Sequence, residues 1–273
     1  MKKLILLFSA FLLTISTAFA QQQIYWTEVA LEVTPGKASL VYKLVDDFYS
    51  SIDFPEGSSL TLNAIQNKSE WTKATHFLNF AGTPDGLAQL RELRSGEAYE
   101  AYVENLEGLA KIVAMKQGQS LVRIQGENGS YSEQMWSFYV DDPGTFAQAF
   151  IELNEGFSNG NYISLGQYTG GERNETHYIY TTHSDAKSQF TFFPDNEKEQ
   201  EAFAKFNSIC KPNITVSHIE VLDHDTGISY DYEDSEGTIP DFLPYQKDFM
   251  GPMSIYDKPW WERSDVSTYD NFA

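Results

Sequence analysis

Two short strings of the chain nearly repeat each other: ATHFLNFAG at residues 74–82 and ETHYIYTTH at 175–183. Each holds a histidine, His76 or His177, between a threonine and an aromatic residue. Imidazole titrates near neutrality and ligates metals, so either could serve as a general base or a heme ligand. Strand alternation argues otherwise. It places His76 with Leu78 and Phe80, and His177 with Ile179, on faces whose apolar members look toward helices. Both histidines are therefore expected to pack beneath a helix with a ring nitrogen hydrogen-bonded, and a catalytic His76 or His177 requires the faces reversed. The opposite faces present Phe77, Asn79, Tyr178 and Tyr180, joined by Trp26 and Trp136 from two earlier strands. Aromatic walls with a few polar tips describe a small-molecule site, and the same rings could fill a dry contact between two sheets.

Other candidate constellations are sparser. Asp223-His224-Asp225 precedes Gly227, and Asp231, Glu233, Asp234 and Glu236 follow. Oxygen ligands in a turn suit calcium, with Asp223 and Asp225 the candidate ligands. The fixed spacings and distal glutamate of a calcium-binding loop are missing, and Asp and Gly are what any turn prefers, so no metal is expected. His183 near Asp185 and His218 near His224 lack a zinc-site spacing. No nucleophile elbow, phosphate loop, dinucleotide fingerprint or HExxH is present. Cys210 falls on an apolar helix face with Phe203 and Phe206 and reads as inert core. No cofactor is indicated by any of these residues.

The elements that must position these residues come twice. WTEVALEV (26–33) and MWSFYV (135–140) alternate as strands, each followed by Pro-Gly. An apolar stripe at Val41, Leu44, Val45, Phe48 and Ile52 has helical spacing. It returns, shifted by ~105 positions, as Phe146, Ala149, Phe150, Leu153 and Phe157. SLTLNAIQ (59–66) and NYISLGQY (161–168) read as second strands, and the histidine strings as third strands. Helix-prone segments with Tyr99, Tyr102 and Leu106, and with Phe203, Phe206 and Cys210, come next. KIVAMK–Gly118–SLVRIQ and VSHIEVL–Gly227–ISYDY are then expected as hairpins. The pattern predicts two βαββαβ repeats, 21–130 and 131–236.

A βαββαβ unit makes a four-stranded antiparallel sheet with both helices on one face, leaving the other face to be buried. On this element order and the two stripes, residues 24–236 resemble the ferredoxin-like dimeric α/β-barrel superfamily, duplicated within one chain. The resemblance implies an α+β fold: two ferredoxin-like βαββαβ repeats packed sheet to sheet as a pseudo-dimeric α/β barrel. It also implies a cavity between the sheets. The superfamily includes cofactor-independent monooxygenases of the antibiotic-biosynthesis type, heme-degrading enzymes and stress-responsive proteins, and no catalytic set of those families matches here residue by residue.

The ends and the composition limit the setting. Lys2 and Lys3, an apolar run from Leu4 to about Leu13, and Ala18-Phe19-Ala20 have the form of a secretory signal peptide over residues 1–20. A periplasmic or secreted location is expected, with no membrane insertion. Loss of Lys2 and Lys3 takes the formal charge from −20 to −22. So acidic a surface disfavours nucleic acid. With Cys210 alone, no internal disulfide can form, and an aromatic content of 15% supplies the core instead. Residues 237–273 form a Pro- and aromatic-rich C-terminal arm whose Trp260 and Trp261 either lie on the body or meet a protein partner. The expected function is small-ligand binding or an accessory role in the inter-sheet cavity, as monomer or homodimer. An oxygenase-like or heme-handling enzyme and a protein-interaction module are the alternatives.

Overall fold

The first strand shows how the chain sorts itself. In β1 (Tyr25–Val33), Val29, Leu31 and Val33 belong to a core under the helices, while Ala30 belongs to a separate cluster on the opposite face. Period-2 alternation thus gives one strand two buried faces, which only a layered or closed sheet can satisfy. The computed structural model describes residues 23–67, 72–124, 126, 131–157, 161–171, 175–211 and 214–231. The predicted signal peptide and the arm with Trp260 and Trp261 lie outside the described residues.

The first half continues with α1 (Ala38–Tyr49), β2 (Ser58–Asn67), β3 (His76–Gly82), α2 (Pro84–Leu93), α3 (Gly96–Glu107) and β4 (Ala110–Ile124). The second half has the same order: β5 (Ser132–Val140), α4 (Pro143–Gly156), β6 (Ile163–Gly170), β7 (His177–His183), α5 (Ala186–Phe190), α6 (Glu197–Cys210) and β8 (Ile214–Asp231). The expected stripes become the buried faces of α1 and α4. Val41 and Val45 are fully buried, as is Phe150, with Phe146 and Ala149 nearly so. Each of these valines and phenylalanines contributes on the order of 1.5–3 kcal/mol of hydrophobic stabilisation. α2 was not expected. Thr83 caps it by accepting from the Gly86 amide, and Pro84 sits in its first turn.

The eight strands close into one antiparallel barrel in the order β1-β3-β2-β8-β5-β7-β6-β4, with β4 returning to β1. The helices pack outside in two clusters, one per half. This is the expected ferredoxin-like pseudo-dimeric α+β barrel, with one correction. Neither expected hairpin exists: β4 and β8 are single long strands. The N-terminal part of β4 pairs with β1 of its own half and its C-terminal part with β6 of the other. β8 does the same with β5 and then β2. Gly118 is not a turn glycine. A Cβ there would lie 2.5 Å from the Trp26 ring and 2.7 Å from the Gln167 carbonyl oxygen, so the missing side chain permits close approach. Asp223 likewise sits within β8, opposite both Ala64 and Ser132, and Asp225 is also a strand residue. The turn that made Asp223 and Asp225 candidate calcium ligands is absent.

Candidate functional site in the barrel interior

Inward-facing positions of β1, β4, β6 and β7 converge on an aromatic cluster at the centre of the barrel. The Trp26 indole N–H donates to the Tyr178 hydroxyl at 2.8 Å. Trp26 meets Tyr168 and Tyr178 edge to face, with centroids 5.7 and 5.4 Å apart. The Tyr168 hydroxyl in turn shares a hydrogen bond of 2.8 Å with Ser137 Oγ. Gly166 lets Tyr178 lie flat on the wall, since a Cβ there would meet the ring at 2.1 Å. Burial, opposed by the Trp26 hydrogen bond, pushes the Tyr178 phenol well above its ordinary range, so it stays protonated. This part of the interior is filled.

Beside the cluster remains a cavity of about 100 Å³. Its polar wall includes Glu28, Asn79, Arg123, Glu133, Tyr162 and Tyr180. The Tyr180 hydroxyl donates to Glu133 Oε1. Arg123 hydrogen-bonds the Tyr162 hydroxyl, whose titration burial nevertheless drives upward. Lys116 Nζ lies 3.6 Å from Glu28 Oε1 and 5.5 Å from the centre of the Phe77 ring. Asn79 Oδ1 is buried at this wall and has no hydrogen-bond partner. Buried amide oxygens rarely go unmatched.

Most of the expected site residues converge here. Trp26, Asn79, Tyr178 and Tyr180 line the cavity. Phe77 faces inward but packs with Ala30, Ala74 and Leu222 beyond the cavity wall. Trp136 is a clear correction. It lies on the outer face with Phe138 and Phe146, its ring 5.9 Å from Phe192. The register explains why. Leu31 faces His76 and Phe138 faces His177, so the counterpart of Trp136 is Val29, whereas Trp26 corresponds to Glu133. Glu28, Arg123, Glu133 and Tyr162 were not read as site residues from the sequence. Alternation with Trp26 could have flagged Glu28, a charge in the inward phase of an apolar strand.

The histidines stand outside the barrel wall, as alternation predicted. His76 Nδ1 and His177 Nδ1 each lie 2.9 Å from the hydroxyl of the preceding threonine, Thr75 or Thr176. Those threonine hydroxyls also bond the main chain of the first strand in each half. Each imidazole is edge-on to a helix ring, Tyr42 of α1 for His76 and Phe146 of α4 for His177. Burial lowers the His76 pKa to about 4 and that of His177 in the same direction, so both are neutral at physiological pH. This corrects their candidacy as catalytic groups: neither reaches the cavity. Burial also raises the Cys210 thiol to about 11, in keeping with inert core. Among the described residues no cluster of His, Cys, Asp and Glu is arranged to hold a metal, and no helix is long and apolar enough to cross a membrane.

No protein-family model matches the chain, and no curated protein matches it in sequence. Solved structures do match in shape. One is named "putative monooxygenase", from Lactobacillus acidophilus NCFM, with a TM-score of 0.50 at 12% identity, over 77% of this chain and 100% of that one. An anthrone oxidase-like protein aligns with a TM-score of 0.48 at 9% identity, over 79% of this chain and 95% of that one. One named "Putative Chlorite dismutase TA0507" aligns at 0.44 and 11%, over 74% and 94%. At such identities the likeness concerns the fold alone: this chain has a ferredoxin-like dimeric α+β barrel, the architecture it shares with the L. acidophilus protein.

Proposed function

We propose that the protein binds a small polar molecule at the cavity of its barrel, in the periplasm or outside the cell. The observation that carries this reading is Asn79 Oδ1, an acceptor buried at the cavity wall without a partner. An unmatched buried acceptor costs on the order of 1–3 kcal/mol, and a ligand that donates a hydrogen bond recovers that cost. Arg123 and Glu133 stand on the same wall and favour a ligand with both donor and acceptor groups. At about 100 Å³ the cavity is smaller than the roughly 300–1,000 Å³ typical of drug-sized ligands, which limits the occupant to a few heavy atoms.

The location rests on the leader-like residues 1–20. The shared element order of the two halves and the echo of their sequences support their origin by duplication of one unit. Catalysis has less support. The fold is shared with proteins named as oxygenases, but the two imidazoles that could have acted as bases lie behind the wall.

Native mass spectrometry of the protein purified from a bacterial periplasm, with an absorption spectrum alongside, tests the proposal. A small retained mass, lost in Asn79→Leu and in the cavity-filling Ala81→Phe, is expected. If all three proteins are bare, and none gains thermal stability from a panel of small polar compounds, the binding reading is wrong.

A further inference from the structure

The outer face of the second half holds an apolar groove of about 330 Å³ between α4, α6 and the strands beneath them. Trp136 and Ile179 form its floor and Phe206 a wall, while Phe193, Phe203 and Ile219 stand at its rim. These rim residues are 74%, 40% and 43% exposed. Contiguous apolar surface of this kind on an acidic protein marks a contact site.

On the first half the corresponding wedge is filled by described rings. Phe48 stacks on Tyr102 with centroids 4.8 Å apart, and Tyr99 stacks on Tyr102 at 5.9 Å. Phe54 stacks on Tyr230, near the end of β8, at 5.7 Å. Helical spacing makes Phe203 the counterpart of Tyr99, and Phe203 has no such ring upon it among the described residues. One wedge is closed from within. The other awaits a cover.

We infer that the groove is the seat of this chain's own C-terminal arm, with Trp260 and Trp261 entering between α4 and α6. Two observations converge on that occupant. First, an arm carrying Trp260-Trp261, Phe242, Phe249, Tyr256 and Phe272 is too aromatic to remain solvated. Second, it reaches. β8 runs from Ile219 at the groove to Asp231, which pairs with Ser59. That path is about 40 Å, whereas residues 232–259 extend to roughly 90 Å. The arm thus brings rings to an apolar floor within its reach.

The test uses the intact protein with the photoreactive substitution Phe193→p-benzoylphenylalanine, an exposed position that tolerates it. Cross-linked peptides joining residue 193 to 258–263 of the same molecule are expected, and they should vanish in Trp260→Ala/Trp261→Ala. Mixing isotopically heavy and light protein distinguishes copies: heavy–light linked peptides would assign the groove to a second molecule and overturn docking within one chain. Cross-links elsewhere in the chain, or an apolar molecule retained in native mass spectra with the arm unlinked, would overturn it too. Trypsin supplies a second reading. Cleavage after Arg263 should quicken at least tenfold in Phe203→Glu and in the double tryptophan variant, but not in Leu40→Glu on α1. Equal rates in all of them would refute the proposal.

Discussion

Tyr178 shows how much of the interior hangs on single atoms. Its hydroxyl accepts from the Trp26 indole, and Tyr178→Phe would leave that N–H buried and unmatched. A loss of about 1–3 kcal/mol in unfolding free energy is expected, measured by denaturant titration. Trp26→Phe with Tyr178→Phe should cost less than the two changes summed, because together they remove both halves of one hydrogen bond. The histidines give a pH prediction. His76 and His183 are lowered to about 4 by burial, and His177 is lowered too, while the unfolded chain protonates near 6.5. Between those values the unfolded state binds more protons. Stability should therefore be full above about pH 7 and fall as the pH drops toward 4. His76→Gln should flatten that dependence, and the His76 ring should remain neutral by NMR at pH 5. The orientation of both histidines was legible because alternation has only two phases and Leu78 or Ile179 fixes which is which. Trp136 was misread because similar strands were matched by composition, and a shift of one residue exchanges the faces.

At the scale of elements, helical stripes were the easiest signal, since α1 and α4 must each bury one continuous face. α2 was missed although Thr83-Pro84 is a serviceable start signal, because its interior is mostly polar. The long strands were harder still. A glycine midway along an alternating run reads as a turn, and nothing local reveals that β4 crosses to a new partner there. The distinction can be measured. Gly118→Ala should cost about 1–3 kcal/mol through overpacking against Trp26. Because the obstruction is a side chain as well as the Gln167 carbonyl, Trp26→Phe should recover part of the loss. A turn glycine would gain nothing from that second change.

For the whole molecule, closure is the decisive property, and it was foreseen only as two sheets meeting. β4 and β8 each complete the other half's sheet, so neither half contains all the partners of its own strands. Residues 21–130 expressed alone should yield no folded monomer. Sedimentation should find dimers or aggregates, and a monomer with a well-dispersed NMR spectrum would show that closure is dispensable. Joined in one chain, by contrast, every described strand has two neighbours, and the barrel they form offers no edge to other molecules.

Covalent linkage of the halves also releases them from symmetry. In a dimer of identical subunits each interior residue occurs twice, and any substitution is made at both places at once. Here Trp26 corresponds to Glu133, Phe77 to Tyr178 and Asn79 to Tyr180. One half can thus supply a satisfied carboxylate–phenol pair while the other leaves an amide oxygen unmatched. Likewise, among the described residues, one outer wedge is closed by its own rings and its counterpart is not. Division of labour between the two copies, unavailable to identical subunits, is written into the wall of the barrel.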